Sequence, residues 1–162
     1  MKKLMSLTLA ALMLMSLLTG CGGKKEEETA DVDLQAFFEE LQGAYEYWDD
    51  TYLVDIESEM LESYYPGLSE IETEQFIAKA AMMSAVVNEV VFMQCKTEED
   101  AAKAAGILQE RVDTQAEGGA WYPESMEAWG KAAVIQHGTY VAMIASAEQQ
   151  SDAEERFNAL FA

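Results

Sequence analysis

Histidine and cysteine are almost missing from this chain, which holds one His and two Cys in 162 residues. A structural zinc site needs four nitrogen or sulfur ligands, and this inventory cannot supply them. Basic residues are scarce as well: 10 Lys and Arg stand against 30 Asp and Glu, for a net charge of −20. Binding to nucleic acid rests on a basic patch, so nucleic acid is excluded as a partner. The chain has no phosphate-cradling Gly-rich loop, no Gly-x-Ser-x-Gly, no His-Glu-x-x-His and no dinucleotide fingerprint. These absences remove most hydrolase designs and leave no cofactor to expect. Carboxylate-pair chemistry passes the filter, without a motif behind it.

What the chain does have begins at its N-terminus. Met1, Lys2 and Lys3 form a short positive start, and Leu4 to Leu18 carries no charge. That run is short for a membrane span, which takes about 20 apolar residues. It suits the apolar core of a signal peptide. It ends in Leu18, Thr19, Gly20 and Cys21, the pattern of a lipobox, in which small residues admit the peptidase and the Cys thiol takes a diacylglyceryl group. Residues 1–20 are therefore expected to be cleaved. Cys21 is expected to anchor the protein on the outer face of the cytoplasmic membrane, since two acyl chains hold where one is marginal. Loss of Lys2 and Lys3 takes the net charge from −20 to −22. Such a surface does not lie down on anionic lipid. It suits a solvated surface, a basic partner or cations. With Cys21 lipidated, only Cys95 remains, so no intramolecular disulfide can form in a compartment that permits one. Cys95 ends an apolar stretch and reads as a small buried hydrophobe.

Residues 21–33 read as the lipidated Cys and a flexible acidic tether. Residues 34–162 have the size and apolar content of one domain. Asp33 reads as a helix N-cap, with Val32 stapling against Phe37. Leu34, Phe37, Phe38, Leu41, Tyr45 and Trp48 then recur at helical spacing over roughly 34–48. Glu57 to Tyr64 reads as a short helix stopped by Tyr65-Pro66-Gly67. Phe76 to Met83 is open between helix and edge strand. Ala85 to Cys95 is apolar on both faces, as a central strand is. Thr97 to Asp100 starts a helix running to about Ala116, and Pro123 opens a short turn carrying Trp129. Ala132 to Gln136 and Thr139 to Ser146 flank His137-Gly138 as a hairpin. Ser151 to Glu154 reads as a capping box for a last helix that faces Ala153, Phe157, Leu160 and Phe161 inward. The order predicts an α+β fold: an antiparallel sheet of three to four strands with helices packed on one face.

Several residues are candidates for a site. Arg111 is a rare cation among acids and is expected to pair with a carboxylate, with Glu89 the candidate if the helix crosses that strand; the pair is either structural or a seat for an anionic ligand. Tyr64, Tyr65, Trp121 and Tyr122 lie in turn regions and either form a partner surface or cover a sheet edge. His137 is placed at a hairpin tip, where it tolerates positive φ beside Gly138. Asp49, Asp50, Asp55 and Glu57 are the densest acids near an aromatic patch. They lack the calcium-loop spacing and read as a solvated loop, so no metal is expected.

Some of these features, in their order along the chain, resemble one family. They are the lipobox, Val32-Asp33-Leu34, Tyr64-Tyr65-Pro66-Gly67-Leu68, Met82-Met83-Ser84-Ala85 with Asn88-Glu89, Arg111, Tyr122-Pro123, and Gly138-Thr139-Tyr140-Val141. The chain is similar over about Val32 to Phe161 to the Gram-positive lipoproteins catalogued as domain of unknown function 4358. The resemblance implies an extracytoplasmic lipoprotein and supplies no activity, substrate or catalytic residue. The expectation is thus a non-catalytic module, held to the membrane through Cys21, that binds a protein or cell-wall component. A domain for a small ligand or metal is the first alternative, and an enzyme using carboxylates the second.

Overall fold

The fold follows from two strands that are apolar on both sides. In the computed structural model, which describes residues 31–83 and 85–162, β3 (Asn88–Cys95) and β5 (Tyr140–Ser146) pair antiparallel at the middle of a sheet. Side chains alternate faces along a strand. Val90, Phe92, Tyr140, Ala142 and Ile144 fall on one side, and Val91, Met93, Cys95, Val141, Met143 and Ala145 on the other, all of them buried. Both faces therefore need a cover.

The first face is covered by α1 (Leu34–Ala44) and α5 (Gln150–Ala159), through Leu34, Phe37, Phe38, Leu41, Ala153 and Phe157. The Phe37 ring meets Phe92 edge-on at 5.3 Å, and Phe157 stacks on Phe92 at 5.9 Å. The second face is covered by α3 (Glu98–Thr114) through Ala101, Ala104, Leu108 and Val112, joined by Tyr65, Leu68 and Trp129. Alanines let α3 sit close on the strands. Each large side chain fully buried this way stabilises the fold by about 1.5–3 kcal/mol.

Around this centre the order of strands is β1-β2-β3-β5-β4, all antiparallel, with β1 (Leu53–Asp55), β2 (Thr73–Ala81) and β4 (Ala133–His137). Two short helices, α2 (Ser58–Tyr64) and α4 (Pro123–Trp129), complete the order. The α+β class and the antiparallel sheet stand as expected. The sheet has five strands rather than three to four, because β1 is too short to announce itself, and helices cover both faces rather than one. The segment left open at Phe76 to Met83 is strand up to Ala81.

Local signals fared unevenly. Asp33 accepts from the N–H of Gln35 and Ala36, and Thr97 from that of Asp100, so both caps form as read. Val32 is buried beside Phe37, so it and Asp33 belong to the fold and not to the tether. α1 stops at Ala44, four residues early, although Tyr45 and Trp48 still reach the core. Ser151 is not a cap. The last helix starts at Gln150, whose side chain accepts from Ser146 N–H and donates to the Ile144 carbonyl, tying the helix to β5. His137 is the last residue of β4, paired with Tyr140, and not part of the tip. The tip is Gly138-Thr139, and Gly138 takes the positive φ of 56° at the first loop position, where type II′ turns place glycine.

The chain enters this fold at one end of the sheet. Val32 N–H donates to the Tyr140 hydroxyl, and Gln75 holds both Leu34 N–H and the Val32 carbonyl while donating to Gln94. Residues 1–30 lie outside the described residues, and with them the signal peptide, the lipobox Leu18 to Cys21 and most of the tether. No helix among the described residues is long and apolar enough to cross a membrane.

Candidate functional site

The predicted site residues separate into two groups. Tyr64, Tyr65, Glu89 and Arg111 come together beneath α3. Glu89 is the one acid among the apolar residues of β3, and Arg111 meets it with two parallel bonds, Nε to Oε1 at 3.0 Å and Nη2 to Oε2 at 2.9 Å. The Tyr65 hydroxyl donates to the same Oε1 at 2.6 Å. The guanidinium lies 4.1 Å from the Tyr64 ring centroid and 5.3 Å from that of Trp129. Burial works against the Arg111 charge, but the bonds and charge of Glu89 outweigh it and hold its pKa above the usual value. Burial, then the Glu89 charge, pushes the Tyr65 phenol well above the ordinary tyrosine value. The expected Arg111–Glu89 pair forms, and its geometry is that of a saturated ionic knot within the core.

Trp121 and Tyr122 do not join it. They stand exposed just before α4, Trp121 at 89%. Tyr65 is fully buried, so the four aromatics do not make one surface. Nor does the acidic loop gather a metal site: Lys79 bridges Asp50 at 3.2 Å and Asp55 at 3.1 Å. That bond draws the Asp50 pKa down, ahead of a second bond from Gln42. Asp49 turns inward on its own loop and accepts from Thr51 N–H. Among the described residues no three of His, Cys, Asp and Glu sit close enough to share a metal ion. Cys95 is buried, and burial raises its thiol to about 11. His137 stacks on Phe161 at 4.5 Å and bonds Asn158, on the face of the sheet opposite the buried Cys95.

A concave site does exist, at the other end of the sheet from the chain entry. Residues 45–52 loop across that end. Tyr45 and Trp48 point into the core and meet edge-on at 5.0 Å, while Tyr47 between them is turned outward with a φ of 66°. Left-handed backbone costs a bulky residue about 1 kcal/mol or more. Tyr47 packs instead on Tyr52, edge-on at 4.9 Å. Met82, Met83 and Val86, beyond the paired parts of β2 and β3, make the facing wall. The walls are tied where Met82 N–H donates to the Tyr52 carbonyl. Between them opens a cleft of about 510 Å³ floored by Trp48, Val87, Asn88 and Ser146, with Glu46 and Glu148 among the residues lining it.

Three observations set this cleft apart. Its walls are exposed hydrophobics, with Met82 at 70% and Met83 at 63%. Asn88, only 6% exposed, gives its amide to the Tyr47 carbonyl over a long 3.4 Å, and its buried Oδ1 has no partner among the described residues. Buried polar atoms are nearly always paired, and one left alone costs about 1–3 kcal/mol. Finally, Glu46, ahead of burial and of the more distant Tyr52 and Glu148, raises the Tyr47 phenol pKa above its ordinary value.

None of these cleft residues stood out in the sequence as a site. The available signal was Met82-Met83 and Val86, apolar residues in a turn between two strands with no core left for them to enter.

The chain matches the family model described as domain of unknown function (DUF4358) over residues 46–146, and it belongs to that family. The match is narrower than the expected Val32 to Phe161, but it spans the ionic knot and all of the cleft except Ala147, Glu148 and Gln149. No curated protein and no solved structure matches the chain.

Proposed function

We propose that this protein is a lipid-anchored extracytoplasmic binding module, not an enzyme, and that the cleft beside Tyr47 is where it holds a small apolar ligand. The observation that carries the reading is the cleft itself: about 510 Å³, walled by Tyr47, Tyr52, Met82, Met83 and Val86, with the polar residues Asn88 and Ser146 in its floor. Ligand sites are concave, mostly apolar and equipped with few polar groups. Methionine walls adapt to varied shapes. The volume falls in the range of small-molecule sites, about 300–1,000 Å³. The lipobox supports the anchor, and the stretch from Cys21 to Val32 reaches at most about 40 Å from the membrane.

The two halves are tested separately. An alkyne fatty acid fed to the host should label the protein through Cys21, and Cys21→Ala should abolish labelling and release the protein from the membrane. Labelling that persists in Cys21→Ala removes the anchor from the account. Thermal melting of the whole chain against the low-molecular-mass fraction of the host envelope should rise, and Val86→Glu should erase the rise. A second reading, docking of a protein or wall component, rests on Trp121, whose 89% exposure is far beyond what packing requires. In-cell cross-linking that captures one partner with wild type and loses it with Trp121→Ala favours that reading instead.

A further inference from the structure

We infer that the ligand of the cleft is an organic cation: an apolar body with a protonated amine or similar N–H head, held by Glu46 and Glu148 at the ring of Tyr47. The inference rests on the cleft being a ligand site and adds the chemistry of its occupant. Two features select the head group. Glu46 and Glu148 both line the cleft, and among the described residues neither takes part in an ion pair. Elsewhere in the fold the few cations are spoken for: Arg111 by Glu89, Lys79 by Asp50 and Asp55, and Arg156 by Asp152 and Glu40. Two free carboxylates at the cleft therefore lack any cation from the described part of the chain.

The aromatic wall points the same way. The faces and hydroxyls of Tyr47 and Tyr52 are negative ends of polarised groups, and a cation near such a ring is favoured most where water is excluded. A carboxylate head, by contrast, meets two like charges at Glu46 and Glu148. The overall charge of −20 adds attraction at long range, raising the local concentration of cations around the protein. The body of the ligand is set by the remaining walls, Met82, Met83, Val86 and Val87, which offer only apolar contact.

Three probes with one body and three heads test this: 4-phenylbutylammonium, 4-phenylbutanol and 4-phenylbutyrate. Each is titrated calorimetrically into the whole chain in nanodiscs of neutral phosphatidylcholine, with empty discs as the blank. The ammonium is expected to bind about tenfold more tightly than the alcohol, and the butyrate most weakly. In the double variant Glu46→Gln with Glu148→Gln, both exposed positions, the ammonium should fall to the affinity of the alcohol. Equal affinities for all three heads, each lost in Val86→Glu, overturn the cation inference and leave the cleft standing as a ligand site. Tightest binding of the butyrate overturns it in the same way. Binding that survives Val86→Glu, or no binding of any probe, overturns both.

Discussion

Charge placement governs this protein residue by residue. Glu89 and Arg111 are mostly buried, with side-chain exposures of 7% and 13%. Removing one partner strands the other's charge, so Glu89→Gln should destabilise the fold by about 3–5 kcal/mol. The pair replaced together, as Glu89→Leu with Arg111→Met, should cost clearly less than the two single changes summed. Urea unfolding of the four proteins closes the cycle, and additive costs contradict the saturated knot. The buried phenols set an alkaline limit. Tyr65 is held well above its ordinary pKa and Tyr45 is raised to about 12, first by burial and then by Asp152. The folded state keeps protons that the unfolded chain releases near pH 10. Stability is thus intact below about pH 10 and declines as pH rises from there toward the folded values. Tyr65→Phe should flatten that decline in urea midpoints between pH 8 and 11, at the cost of one bond to Glu89. At this scale the sequence was informative where a residue was rare: Arg111 among acids, Glu89 in an apolar strand. Asn88 was illegible, because an amide at a strand end is ordinary until its partners are counted.

Among the elements, those signals that act within one turn of chain were readable. Asp33 and Thr97 cap their helices through bonds to residues two or three positions on, and nothing distant competes. Thr97→Ala should therefore cost about 1 kcal/mol in urea unfolding, and an unchanged midpoint contradicts the cap. Ser151 fails by the same logic, because a distant demand wins: the open ends of β5 need Gln150, and the helix begins early enough to supply it. β1 has only three residues and exists because β2 offers it an edge, from Ala81 back to Lys79. His137 was misplaced by one residue, since the glycine with positive φ opens the tip rather than ending it.

The molecule as a whole is layered on both sides of its sheet. A strand apolar on both faces requires cover on both faces, so the pattern of Ala85 to Cys95 already argued against helices on one side. The cleft was beyond reach. It is assembled from the loop after α1, the turn after β2, the start of β3 and the end of β5, and no local pattern links four such segments. Chain entry is fixed beside Gln94, and Asn88 lies six residues back along the same strand, about 20 Å away. The cleft and the entry of the chain at Val32 thus occupy opposite ends of the sheet.

The claim that this end of the sheet is a binding site is tested most directly by methyl resonances of methionine in the whole chain. Met82 and Met83 line the cleft, whereas Met60, Met93, Met126 and Met143 lie elsewhere among the described residues. On addition of 4-phenylbutylammonium, the Met82 and Met83 methyls should shift together and saturate, with those four unmoved. Saturating shifts at Met60, Met93, Met126 or Met143 while Met82 and Met83 stay in place would contradict the account.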